Sequence, residues 1–163
     1  MSVREKRLRN EYEGVLKLVD NAGGSIIIAS TSGNPPYQYV IEYRCRGIEK
    51  LQENKPVFRG NHRVEISLGN QYPREQPNAK FLTPIFHPNV WENKDVCLGS
   101  YWTMAETVPQ LVIRIGKIIQ YSKDVLNLNS PANSRAESWA AQNMSLFPVG
   151  SQTFKSQIVW DDI

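Results

Sequence analysis

Between residues 25 and 83 the chain carries four strand signals and no helical one, and this run constrains the fold more than any other feature of its 163 residues. The signals fall at 25–31, 37–46, 63–68 and 79–83. The second sets Tyr39, Ile41, Tyr43 and Cys45 on one face against Glu42, Arg44 and Arg46 on the other, and the third repeats the alternation with Val64, Ile66 and Leu68. Strands that follow one another without a helix to carry a crossover pair antiparallel, so a four-stranded meander is expected. Ser32-Gly-Asn-Pro-Pro36 marks the turn between the first two.

Helical spacing brackets this run. Ser2 and Glu5 form a capping-box pattern ahead of Leu8, Tyr12, Val15 and Val19, which predicts a helix over 3–20 that stops at Gly23-Gly24. Thr107-Val-Pro-Gln110 is a second box with Pro109 in the first turn, opening a helix with Leu111, Ile115, Ile118 and Ile119 inward. Ser130-Pro131 is read as the start of a last helix that carries Trp139 and fades near Met144. The expectation is an α+β fold in the order helix, four strands, loop, helix, helix. We read residues 1–163 as one domain, with a core over about 3–144 and an irregular tail at 145–163 bearing an apolar cluster at 158–160.

A chain of this length hides roughly 68–70% of its unfolded surface, so it needs no staples. Two cysteines make no disulfide framework, and no apolar run approaches the ~20 residues of a membrane span. The first nine residues hold Arg4, Lys6, Arg7 and Arg9 where a secretory leader would turn apolar, so a reducing, cytoplasmic setting is expected. These four cations stand against Glu5 alone, an excess equal to the +3 of the whole chain. That charge is too small to imply nucleic acid, and its ordinary reading is a solvated helix face.

Residues 84–102 have no periodicity yet are rich in aromatic and apolar side chains, and a long ordered loop of this kind is usually functional. Here Cys97 follows the tripeptide His87-Pro88-Asn89 by eight residues. The thiol could hold an acyl group as a thioester, and the Asn amide could donate to the oxyanion formed when an amine attacks. Taken singly, Pro88-Asn89 is an ordinary turn and a lone Cys an apolar filler, the role read for Cys45. Zinc is not expected, because two Cys and two His at these spacings complete no four-ligand set.

The loop resembles the active-site loop of the ubiquitin-conjugating enzyme family, which carries the same His-Pro-Asn and places its cysteine at the same distance. Tyr72-Pro73-Arg-Glu-Gln-Pro77, Ala79-Lys80-Phe81, Trp102-Thr103-Met104-Ala105 and Thr107 extend the likeness, which covers roughly residues 4 to 143. It implies that Cys97 accepts a ubiquitin-like C-terminus from an activating enzyme and passes it to a substrate amine. Asn89 then serves as oxyanion donor or as loop scaffold, and His87 anchors the loop through backbone hydrogen bonds. Asp124, the only carboxylate in the loop after the second helix, takes the part of the acidic group that helps the lysine lose its proton, unless a polar wall including Asn127 orients it. Arg4, Lys6, Arg7 and Arg9 become the docking face for the activating enzyme. The partners implied are that enzyme, a ubiquitin-like modifier and a protein substrate, with no cofactor, metal, nucleic acid or membrane.

The chain departs from the family's pattern in several places. Gly99 stands where an Asp is usual, the stretch from Cys97 to Trp102 is trimmed, and Arg74 and Thr103-Met104 replace residues typical of members that work with RING-type ligases. These departures resemble prokaryotic relatives in ubiquitin-like conjugation systems, some of them antiphage. Two other classes compete. One is a non-catalytic ubiquitin-binding variant of the same scaffold, against which Cys97 weighs; the other is a cysteine hydrolase using His62 or His87 as base.

Overall fold

The computed structural model describes residues 1–99 and 102–150. Its elements run α1 (Val3–Asn21), β1 (Ile26–Gly33), β2 (Pro36–Tyr43), β3 (Gly47–Gln52), β4 (Lys55–Arg59), β5 (His62–Ser67), β6 (Asn78–Phe81), α2 (Val108–Ile119) and α3 (Ser134–Gln142), followed by a 3-10 turn at Met144–Leu146. The fold is α+β. Strands β1, β2, β5 and β6 lie side by side in that order, every neighbour antiparallel, so the expected four-stranded sheet is present.

A second, two-stranded sheet of β3 and β4 is inserted between β2 and β5, where the sequence reading had no strand. Its two-residue turn is Glu53-Asn54, both at positive φ (52° and 64°), the geometry that a tight hairpin requires. Asn tolerates this conformation but Glu seldom does, and the flanking strands are only half buried, so neither the turn chemistry nor the alternation announced the hairpin.

Ser2 caps α1 by accepting from the Glu5 amide (3.1 Å), and Gly23 and Gly24 follow its end with φ of 60° and 87°. The cap of α2 is a complete box, with the Gln110 amide bonded to Thr107 Oγ1 and the Thr107 amide to Gln110 Oε1. The main core fills the space between helices and sheet, where Leu8 and Val15 of α1 and Val112, Ile115 and Ile119 of α2 meet Tyr39, Ile41, Tyr43, Val64 and Ile66. Cys45 lies in this core. α3 begins at Ser134 with Asn133 as its cap, three residues beyond the Ser130-Pro131 start read from the sequence, because Asn127 and Ser130 are bonded to each other in a turn of their own. Its Trp139 and Ala136 join Ile48, Phe86 and Tyr121 in a smaller cluster beneath the 84–97 loop. The cluster at 158–160 lies outside the described residues.

Glu11 was not singled out by the sequence, yet it is buried between the two helices. Its carboxylate accepts from Arg7, from the Tyr72 hydroxyl and from the Val108 amide at the start of α2. Burial raises its pKa above the usual carboxylate range, opposed by these donors and by the Arg7 charge.

Candidate active site

The 84–97 loop is held at every stage by backbone bonds. The Phe86 amide donates to Ile48 O and the Tyr121 hydroxyl to Phe86 O, tying its entry to β3 and to the end of α2. The Ala132 and Asn133 amides donate to Pro88 O, tying it to the approach of α3. The chain then doubles back on itself. Val90 and Val96 form a bridge, Lys94 turns the corner at φ 77°, and Val96 and Phe81 pair with Ala79 and Lys94 at the edge of β6.

This doubling gives the eight-residue spacing its physical meaning. Across the Val90–Val96 bridge, residues 89 and 97 come opposite each other, and the Cys97 amide donates to Asn89 O at 2.8 Å. Cys97 itself is a free thiol of intermediate exposure, whereas Cys45 is 4% exposed and burial pushes its thiol up to about 12. A thiol raised that far supplies almost no thiolate at neutral pH.

The Asn89 side chain is buried, with both its polar atoms engaged as a brace. Its Nδ2 donates to Val125 O (2.7 Å) and its Oδ1 accepts from the Asn127 amide (2.8 Å), fastening the Cys97 loop to the segment after α2. Asn127 spends its own side chain on Ser130, accepting from its amide and donating to its carbonyl. Asp124 sits in the same segment. Its side chain is 59% exposed and its carboxylate meets Lys117 Nζ at 2.9 Å.

His87 is fully buried beside Tyr121, ring centroids 4.4 Å apart, and its Nδ1 accepts from the Asn89 amide at 2.9 Å. Desolvation lowers its pKa to about 3, which leaves it neutral and a poor base near pH 7. His62 is also buried, bonded through Nε2 to Arg59 O, with burial lowering it to about 4. The hydrogen bonds of both rings therefore go to backbone rather than to Cys97.

The four cations of α1 divide into two pairs, contrary to the expectation of one exposed face. Arg4 donates to Leu68 O and Gly69 O, and Arg7 to Met104 O and Glu106 O (both 2.6 Å), to Tyr72 and to Glu11. They clasp α1 to neighbouring loops through main-chain carbonyls. Lys6 and Arg9 remain exposed. The Tyr72-Pro73 and Trp102 motifs meet beneath Arg7, with Trp102 Nε1 donating to Pro73 O at 2.7 Å and the rings of Tyr72 and Trp102 6.0 Å apart.

One residue that the sequence reading passed over enters the site from α2. Arg114 Nη2 donates to Leu98 O at 2.7 Å, one residue beyond Cys97. The available signal was its place, with Gln110 and Lys117, on the one polar stripe of a mostly apolar helix. Among the described residues no group of three or more His, Cys, Asp or Glu side chains could hold a metal, and no helix is long and apolar enough to cross a membrane.

Comparison with known proteins agrees with the resemblance carried by the loop. Residues 51–152 match the family model described as ubiquitin-conjugating enzyme. Curated relatives include ubiquitin-conjugating enzyme E2 2 of Mycosarcoma maydis, 32% identical over 92 residues, which are 55% of this chain and 48% of the relative. Ubiquitin-conjugating enzyme E2 1 of Caenorhabditis elegans is 29% identical over 118 residues, 71% of this chain and 58% of the relative. The chain thus spans about half the length of the curated relatives it matches.

Proposed function

Because this chain belongs to the ubiquitin-conjugating enzyme family, we propose that it is an acyl transferase in which Cys97 carries a ubiquitin-like C-terminus as a thioester. The Cys97 thiolate attacks the thioester of an activating enzyme, whose own thiolate leaves. A substrate amine then attacks the Cys97 thioester, the C–N bond forms as the C–S bond breaks, and the amine sheds a proton. The observation that carries this reading is the contrast between the two thiols: Cys97 half-exposed on a braced loop, Cys45 sealed in the core.

In this reading His87 and Asn89 are positioning residues that hold the loop through backbone, and the bonds of Asn89 to Val125 and Asn127 support scaffold over oxyanion donor. Asp124, exposed at the loop after α2, is the carboxylate that attracts the incoming ammonium and receives its proton. Lys6 and Arg9 are the cations left to steer an activating enzyme. Residues 1–163 act as one domain, in the cytoplasm, within a prokaryotic ubiquitin-like pathway of the antiphage kind; support for that setting is the pattern of Gly99, Arg74 and Thr103-Met104. An activating enzyme and a ubiquitin-like protein encoded by neighbouring genes would support the setting, and a neighbourhood without them would count against it.

Incubation with an activating enzyme, its ubiquitin-like protein and ATP tests the transfer itself. A reductant-sensitive adduct is expected on the wild type and on Cys45→Ser, and none on Cys97→Ser, where a slower, reductant-resistant ester takes its place. No adduct on wild type, with binding of the modifier retained, would make the chain a non-catalytic binding variant. Loss on a folded Cys45→Ser but not on Cys97→Ser would overturn the choice of nucleophile.

A further inference from the structure

α2 is buried on nearly every side, and the exceptions Gln110, Arg114 and Lys117 fall at helical spacing on one stripe. Each member of this stripe tethers a segment that leads toward the candidate site. Gln110 closes the helix's own N-terminus on Thr107, and Lys117 holds Asp124. Arg114 reaches the segment of Cys97 itself, with Nη2 on Leu98 O at 2.7 Å.

The backbone there is shaped to meet it. Gly99 takes φ 81°, a conformation open to glycine at little cost, and a Cβ added at Gly99 would lie 3.9 Å from Arg114 Nη2. The guanidinium therefore rests in ordinary contact range of the Gly99 position while it holds the carbonyl just before it. The nucleophile is pinned on both sides: its amide by Asn89 O, its successor's carbonyl by Arg114. A charge-assisted bond of this kind is stronger than a neutral one and directional, so it fixes where the Leu98–Gly99 peptide points, one peptide unit beyond the one that follows Cys97.

We propose that Arg114 is a positioning residue for Cys97, setting the orientation of the thioester carbonyl for attack. This rests on Cys97 being the acyl carrier. Because acyl transfer depends on the approach of the amine to that carbonyl, a loop free to rotate loses rate at saturating amine and leaves the apparent affinity for amine unchanged. Lys at position 114 can still donate to Leu98 O, whereas Ala cannot.

The test uses the full chain with two readouts. First, a nitroxide label is attached to Cys97 by a methanethiosulfonate reagent; Cys45, with its thiol pushed up to about 12, does not compete. Arg114→Ala is expected to sharpen the label's spectrum at unchanged melting temperature, and Arg114→Lys to restore most of the broadening. Second, single-turnover discharge of the charged thioester onto hydroxylamine should slow between about tenfold and a hundredfold in Arg114→Ala at saturating amine, with the half-saturating concentration unmoved and Lys recovering most of the rate. Identical spectra for wild type and Arg114→Ala would overturn the proposal, as would a changed spectrum with an unchanged discharge rate. A wild type that never charges would count against Cys97 as carrier, while the label still decides whether Arg114 orders the segment.

Discussion

Replacing Asn89 by Ala separates a brace from an oxyanion donor, and the structure supplies the magnitude. The side chain makes two bonds, Nδ2 to Val125 O at 2.7 Å and Oδ1 from the Asn127 amide at 2.8 Å, and truncation strands both backbone partners. An unsatisfied buried group costs about 1–3 kcal/mol. Val125 and Asn127 are half exposed, so water can reach the vacated space and the lower figure applies to each. The expected loss is then about 2 kcal/mol, or about 4–8 °C in melting temperature for a domain of this size. The Asn127 amide should also lose its protection from hydrogen exchange. Charging of Cys97 and its discharge onto free lysine should slow together, since both need the loop that Asn89 fastens. Asn89→Asp, which keeps the acceptor for Asn127 but sets an oxygen against Val125 O, should be no milder than Ala. An oxyanion donor predicts the opposite pattern, a loss of about 2.7–4 kcal/mol confined to the transition state of discharge. Unchanged melting and exchange with a selectively slowed discharge would refute the brace.

Two further predictions concern charge. Burial lowers His62 to about 4 and His87 to about 3, so the unfolded chain binds protons that the folded chain refuses; the stability this confers is whole above pH 6.5 and is lost as pH falls from 6.5 through 4 and 3. By pH 5 each histidine should remove about 2 kcal/mol, partly offset by Glu11, whose raised pKa makes protonation favour the folded form; urea unfolding at pH 7 and pH 5 checks this, and equal stability at the two values would refute it. On α1, Arg7→Ala should cost about 3 kcal/mol by leaving buried Glu11 without its cation, whereas Lys6→Glu with Arg9→Glu should keep stability within about 0.5 kcal/mol and slow charging at low salt, an effect that fades as salt rises. A charging rate unaffected by the double reversal at low salt would return Lys6 and Arg9 to a merely solvated face.

Local chemistry was enough to read the two N-terminal caps, the period-two strands and the loop with its thiol, because each depends on residues within a few positions of one another. Ser2 and Thr107 meet amides three residues on, and Tyr39, Ile41 and Tyr43 face one way in any strand. The β3–β4 hairpin escaped because its turn uses Glu53 where a residue at ease with positive φ would have flagged it. The start of α3 was misplaced because Ser130 is bonded back to Asn127 in a turn, and that bond was not read from the sequence. What the tertiary structure alone decided is which donors serve which distant carbonyls. Arg4 and Arg7 are indistinguishable in sequence from Lys6 and Arg9, yet the turn of the helix carries the first two toward residues 68–69 and 104–106 and leaves the others in water. Glu11 is one charge among many on α1 and Arg114 one of three polar residues on α2 until the chain closes around them, when Glu11 receives the first amide of α2 and Arg114 finds the carbonyl beyond Cys97. Periodicity is a local property and survives in the sequence; a hydrogen bond between residues 16 or 97 positions apart exists only once packing has brought them together.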